Sequence, residues 1–341
     1  MKLTAGKMWG LRRLADRHGR FAIVAADQRP PIEGLVADRR GGETPWRDVA
    51  DVKRLIVEQF APMTSAVLVD PYYGFPASQD VLDPSRGLLL TLESSRFIED
   101  VHGRRSSEID DWSVEKIKRA GGDAVKALAW FRPDGPAEVI THQQRFVETI
   151  GEACRRYDIP FVFELLDYPL VGDDDTAADR RTDRVVASVE AFTDPRFGID
   201  LFKLESPILP SEVPEPGAPG SERVTEAFAR LDEASSRPWV MLSAGARPDE
   251  FFNVLHHAYA AGASGYLAGR AIWWDGFQLF PDLDAFRAEL STEGARYVER
   301  LNALTEDAAL PWFQHRSYGA AGPGLDDATS TFRNTYRGFD R

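Results

Sequence analysis

Three charged residues sit inside otherwise apolar runs: Lys126 in Ala124–Phe131, Glu164 in Phe161–Leu166 and Lys203 in Leu201–Ser206. A strand alternates its faces, so Leu201, Lys203 and Glu205 point one way and Phe202 and Leu204 the other. A buried charge costs free energy unless it is paired or used. One such residue fits a Lys-Glu pair at a strand end, whereas three in consecutive strands read better as a site than as a structural ion network. The chemistry these types allow is covalent. A lysine is a nucleophile only when neutral, and its ordinary pKa is about 10.4. Desolvation and a nearby cation both lower that value. Lys126 beside Lys203 would supply the cation, and a buried strand the desolvation. The expected reaction is a Schiff base between Lys203 and a ketone substrate. Its protonated imine withdraws electrons and permits cleavage of the adjacent carbon–carbon bond. Glu164 is placed to move protons to and from the departing hydroxyl.

The elements that position these residues follow from the apolar pattern. A first helix carries Met8, Leu11 and Leu14 on one stripe and ends at Gly19. Eight short apolar strands then alternate with helices. They are Phe21–Ala26, Ala66–Val69, Gly87–Leu92, Ala124–Phe131, Phe161–Leu166, Leu201–Ser206, Trp239–Leu242 and Gly265–Ala268. The first closes on Asp27-Gln28-Arg29, after which Pro30-Pro31 forces a loop. Helices are expected at 48–61, 113–120 with Ser113 as cap, 137–157, 182–193, 221–234, 248–260 and 282–305. The count is that of an α/β (β/α)8 TIM barrel. A doubly wound open sheet is the alternative, but no Gly-x-Gly-x-x-Gly follows the first strand. Residues 1–318 read as a single barrel with an N-terminal helix. Residues 319–341, rich in Gly, Asp and Arg without an apolar stripe, read as a flexible C-terminal extension.

Composition narrows the partners. Asp and Glu number 54 against 41 Lys and Arg, a net charge of -13, which argues against nucleic acid, since phosphate-backbone binding needs a basic footprint. A small anionic substrate needs only a local positive pocket. Cys154 is the single cysteine; it follows an apolar helical pattern, excludes an internal disulfide and fits a reduced, cytoplasmic setting. No run approaches the length of a membrane span, and the N-terminus lacks the apolar core of a signal peptide. The aromatic pairs Trp273-Trp274 and Trp312-Phe313 read as exposed and fit a homo-oligomer contact, though a substrate rim or local packing would serve equally.

In a (β/α)8 barrel the active site lies at the carboxyl ends of the strands, which is where Asp27, Gln28, Arg29, Lys126, Glu164, Lys203 and Glu205 fall. The ends of strands seven and eight carry Ser243-Ala244-Gly245 and Gly269-Arg270. Their hydroxyl, guanidinium and backbone N–H groups suit a phosphate, which such barrels often hold in those two loops. No metal or other cofactor is expected: the six histidines, His18, His102, His142, His256, His257 and His315, form no ligand pattern at strand ends. No Ser-His-Asp nucleophile elbow is visible.

The ordered set Ala26-Asp27-Gln28-Arg29, Leu68-Val69-Asp70-Pro71-Tyr72-Tyr73-Gly74, Gly122-Asp123-Ala124-Val125-Lys126, Phe163-Glu164, Phe202-Lys203-Leu204-Glu205, Leu242-Ser243-Ala244-Gly245 and Ala268-Gly269-Arg270-Ala271 spans roughly residues 3–305. It resembles the class I tagatose-1,6-bisphosphate aldolase family, within the deoxyribose-phosphate/tagatose aldolase group. The resemblance implies that Lys203 forms the Schiff base, that Lys126 and Glu164 belong to the active site, and that Asp27 and Gln28 line it. The segments Pro238–Ser243 and Ala261–Arg270, with Trp130 and Arg132, are similar to the sulfofructose-1-phosphate aldolase branch, whose products are dihydroxyacetone phosphate and sulfolactaldehyde. The chain departs from both branches at Leu165-Leu166-Asp167-Tyr168 and at Pro30-Pro31, where the far end of the sugar would sit. The resemblance thus implies an aldehyde-lyase acting on a ketose 1-phosphate. Asp27 and Gln28 would hold hydroxyls, and Ser243, Gly245, Gly269 and Arg270 the C1 phosphate. The distal group is a phosphate, a sulfonate or neither, with Arg29, Arg104, Arg105 and Arg132 as candidate cations. Two other classes remain open: a non-catalytic sugar-phosphate sensor on the same barrel, and a metal-dependent aldolase.

Overall fold

A computed structural model describes residues 1–173, 180–336 and 338. Eight parallel strands close into one barrel: β1 (Phe21–Ala26), β2 (Ala66–Val69), β3 (Gly87–Thr91), β4 (Ala124–Trp130), β5 (Phe161–Leu166), β6 (Leu201–Leu204), β7 (Trp239–Met241) and β8 (Gly265–Ala268). Each pairs with the next in sequence, and β8 returns to β1 with Gly265 opposite Phe21 and Ala268 opposite Val24. The strands are apolar almost throughout because both faces are covered. One set of alternating residues fills the barrel: Ile23 and Ala25, Leu68, Leu89, Ala124, Val162, Leu201, Val240 and Leu267. The other set, including Val24, Val67, Val125, Phe163, Phe202, Leu204 and Met241, packs outward against the helices. Helix Trp46–Phe60 shows how: Val49, Val52, Ile56 and Phe60 are fully buried along one stripe.

The amino-terminal end of the barrel is plugged. Helix Ala5–Leu14 lays Leu11 and Leu14 under the interior layer, where Trp312 and Tyr318 join them. The segment from residue 319, expected as a flexible extension, makes contacts along its described part. Gly324–Leu325 pairs in parallel with Lys2–Leu3, and the Tyr336 hydroxyl donates to Asp158. The remainder of that expectation, at 337 and 339–341, lies outside the described residues.

Two expectations fail. Pro30-Pro31 opens a helix, Pro30–Arg39, rather than a loop. Proline is tolerated in a first turn, where its missing N–H would be unpaired anyway, and Ile32 and Val36 give that helix a buried stripe. Trp273 and Trp312 are buried rather than exposed. Trp273 lies on helix Arg270–Phe277, which follows β8 without a loop, and its indole N–H donates to the Ala25 carbonyl at 2.9 Å. That aromatic cluster is packing against the barrel wall. Trp274 is half-buried and Phe313 is exposed.

Candidate active site

Strand parity delivers the charged residues to one place. Lys126 lies two residues beyond Ala124, Glu164 two beyond Val162 and Lys203 two beyond Leu201, so each continues an inward-facing row. The β5–β6 register sets Glu164 directly opposite Lys203. Glu164 Oε2 lies 2.8 Å from Lys203 Nζ and 2.8 Å from Lys126 Nζ. Two bonds to a single oxygen keep the amines within twice that distance of each other. All three side chains are buried.

The amines differ in their company. Lys126 Nζ also meets Asp27 Oδ2 at 2.9 Å and Glu93 Oε1 at 2.7 Å, so three carboxylates surround it. Burial pushes its pKa down, but Asp27, Glu164 and Glu93 together overcome that and hold it well above the usual lysine range. Lys203 has one carboxylate partner among the described residues, Glu164. Burial raises Asp27 and Glu164, yet Lys126 and Lys203 outweigh it and hold both carboxyls below their ordinary values. At Glu93 burial wins and the pKa rises, despite Lys126 and Arg29. Arg29 donates to the Glu93 carbonyl at 2.9 Å and to Oε1 at 3.2 Å, and Thr91 donates to Asp27 Oδ2 at 3.2 Å.

Above this cluster opens a cavity of about 490 Å³, lined by Asp27, Gln28, Arg29, Lys126, Glu164, Lys203, Ser243, Gly269 and Arg270 among others. Its volume falls within the range of small-molecule pockets. Asp27 Oδ1, Gln28 Oε1, Arg29 Nε and Glu93 Oε2 are buried there without a hydrogen-bond partner among the described residues. Buried polar atoms are normally satisfied, so this group marks a polar surface suited to substrate hydroxyls.

Beyond β7 the chain reverses at Ala244 (φ 48°) and Gly245 (φ 81°), closed by an Ala246 N–H to Ser243 carbonyl bond of 2.8 Å. A β-carbon on Gly245 would lie 3.1 Å from Arg270 Cζ, so glycine leaves the guanidinium room to lie over the turn. At Gly269 a β-carbon would stand 2.5 Å from the Ala25 carbonyl and 2.8 Å from Gln28 Nε2. Glycine there lets the end of β8 close on the end of β1. Arg270 has no ion pair among the described residues, and burial lowers its pKa against the pull of Glu164 and Asp27. Of the residues singled out from the sequence for catalysis and for the C1 phosphate, all line the cavity except Gly245, which lies against Arg270.

Of the four arginines considered for a distal anion, Arg29 alone lines the cavity. Arg104 is stacked over Trp130, Phe97 and Tyr168 at 4.5, 4.9 and 5.1 Å and pairs with Glu99 at 2.8 Å. Arg105 pairs with Asp100 at 2.8 Å. Arg132 is bound by Asp134 and Asp173 at 2.8 and 2.7 Å and donates to the Tyr168 carbonyl. Glu205 is not a partner of Lys203: it accepts from Arg181 and from the Asp167 N–H, and burial raises its pKa. Glu93, one residue beyond the Gly87–Leu92 run, is not among the candidates drawn from the sequence. It is the carboxylate nearest Lys126, and the same signal that marked the others, a charge closing an apolar run, was present.

These features define a (β/α)8 enzyme whose cavity floor joins two buried lysines to the carboxylates of Asp27, Glu93 and Glu164, with the guanidinium of Arg270, unpaired among the described residues, at its side. Comparison with known proteins carries this further. Residues 21–275 match the DeoC/LacD family aldolase model. The tagatose 1,6-diphosphate aldolase of Listeria monocytogenes serotype 4b is 35% identical over 325 residues, covering 92% of this chain and 95% of the relative. Tagatose 1,6-diphosphate aldolase 2 of Streptococcus mutans serotype c is 32% identical, covering 94% of this chain and all of the relative. A solved fructose-bisphosphate aldolase from Plasmodium falciparum shares the fold, with a TM-score of 0.67 at 14% identity over 91% of this chain and 97% of that one. The chain belongs to the DeoC/LacD family of aldolases, and it is therefore a carbon–carbon lyase. No helix among the described residues is long and apolar enough to cross a membrane.

Proposed function

We propose that this aldolase works through a Schiff base on Lys203 and cleaves a ketose 1-phosphate to dihydroxyacetone phosphate and an aldehyde. The observation that carries the reading is the asymmetry of the two lysines around Glu164 Oε2. Lys126, matched by three carboxylates, stays cationic. Lys203, matched by one, is the amine able to pass its proton to Glu164. The neutral amine adds to the C2 carbonyl, and the resulting carbinolamine loses water with a proton returned from Glu164, leaving an iminium ion. A carboxylate then takes the C4 hydroxyl proton, the C3–C4 bond breaks and its electron pair flows into the enamine. The aldehyde departs. Protonation at C3 and hydrolysis of the iminium release dihydroxyacetone phosphate and restore Lys203.

The remaining roles follow from placement. Lys126 keeps positive charge beside Glu164 and fixes Asp27, whose free oxygen, with Gln28, binds hydroxyls. Arg270, Ser243 and the backbone at Gly245 and Gly269 take the C1 phosphate. Tagatose 1,6-bisphosphate, the substrate in the relatives' names, and sulfofructose 1-phosphate share this half and differ only beyond the cleaved bond. The catalytic reading is favoured over a sensor because hydrogen-bonded recognition alone would not require a reactive amine at the cavity floor.

Borohydride treatment with dihydroxyacetone phosphate, read by intact mass, tests the reading. The expected result is an adduct on wild type that disappears in Lys203→Ala. An absent adduct on a wild type that binds the ligand overturns the Schiff-base mechanism. An adduct persisting in the variant moves the nucleophile to Lys126.

A further inference from the structure

The ring order fixes what faces the phosphate end. With Arg270 and Ser243 after β8 and β7, the opposite wall of the closed barrel is built by the segments after β3 and β4. The cavity residues on that wall are Glu93, Ser94, Ser95, Phe97 and Trp130, continued by Leu166 at the end of β5 and Asp167 after it. Phe97 and Trp130 form a ring pair with centroids 5.6 Å apart. No lysine or arginine lines this stretch among the described residues, and residues 174–179 include none.

Apart from Arg96, which is exposed between Ser95 and Phe97 and does not line the cavity, the cations close behind the wall are matched by carboxylates. Arg104 is enclosed by three aromatic rings and paired with Glu99. Arg132 is held by Asp134 and Asp173, and Arg181 by Glu205. Arg29, at the side of the cavity, is bound to Glu93 through side chain and backbone. Glu93, Asp167 and Glu205 face the cavity as well. A second anion placed inside the cavity would meet carboxylates and ring faces, and would have to take an arginine from an existing partner or draw in the exposed Arg96, which does not line the cavity. An aromatic face beside serine hydroxyls suits instead the C–H face and hydroxyls of an uncharged carbon chain.

Resting on the function proposed above, we propose that the substrate carries one anion only: it is a ketose 1-phosphate whose far end is uncharged, and the aldehyde product bears neither phosphate nor sulfonate. This separates the chain from the bisphosphate in its relatives' names.

The test is the condensation reaction of dihydroxyacetone phosphate with glyceraldehyde, lactaldehyde, glyceraldehyde 3-phosphate and sulfolactaldehyde, each at a range of concentrations. The expected kcat/KM for an uncharged aldehyde exceeds that for either anionic one at least tenfold. Equal values, or preference for an anionic aldehyde, overturn the proposal. An anionic preference abolished by Arg96→Ala would trace the failure to that exposed residue beside the wall. Reaction with none of the four, while the borohydride adduct of Lys203 still forms, also overturns it and leaves the Schiff-base reading standing. Loss of the adduct itself refutes the underlying reading instead.

Discussion

Replacing Lys126 by methionine isolates the electrostatic design of the site. The substitution keeps the side chain out to Cε and removes the ammonium that Asp27, Glu93 and Glu164 share at 2.7–2.9 Å. Removing one partner of a buried ion pair costs about 3–5 kcal/mol. At roughly 2 °C per kcal/mol for a chain of this size, Tm at pH 8 falls by about 6–10 °C. The pH dependence carries the sharper test. In the wild type, Asp27 and Glu164 sit below their ordinary values. Their stabilisation is present above the unfolded carboxyl pKa of about 4 and is lost as pH falls through the folded values. Glu93, raised by burial, has the opposite sign: its contribution is present below its unfolded pKa and lost as pH rises through the folded value. Without Lys126, burial dominates all three carboxyls, and all three take the sign of Glu93. The stability deficit of Lys126→Met therefore shrinks as the pH drops from 8 to 5. Thermal melting of both proteins at pH 8, 6.5 and 5 measures it. A deficit under about 2 °C at pH 8, or one that grows toward pH 5, refutes the account of the three carboxylates.

Two further outcomes are expected. Glu164→Gln keeps the shape but removes the proton acceptor shared by both lysines, so kcat falls by about 10²–10⁴; a kcat within threefold of wild type would assign the proton transfers elsewhere. Arg270→Ala removes the unpaired guanidinium, at about 1.5–3 kcal/mol for a hydrogen bond to a charged group. KM for a ketose 1-phosphate then rises roughly 10- to 150-fold with little change in Tm, and an unchanged KM would take Arg270 out of the phosphate site.

The barrel was legible because its signals are local. Each strand is a short apolar run between helical stripes, and seven of the eight were bounded in the sequence to within a residue at each end, Leu201–Leu204 being the exception. Pro30-Pro31 misled because proline stops a helix interior yet starts a first turn equally well. The residues that follow decide between the two, and Ile32 and Val36 do so here. Trp273 and Trp312 misled because adjacent aromatics look the same in sequence whether they cover the barrel or face water.

The site divides along the same line. By itself the sequence determined that Lys126, Glu164 and Lys203 face the barrel interior, because period-two alternation within a strand is set by the backbone alone. It also determined the chemical types gathered at the strand ends. Only the tertiary structure decided how those charges are shared. Lys126 takes three carboxylates and Lys203 one, and Glu93 joins them across 33 positions of chain. The closed ring of strands likewise set Arg104 and Arg132 behind the cavity wall in the grip of carboxylates, and left Arg270 without an ion pair among the described residues at the opposite side. The physical reason is that pairing depends on distance in space between side chains of different strands, which no local pattern encodes.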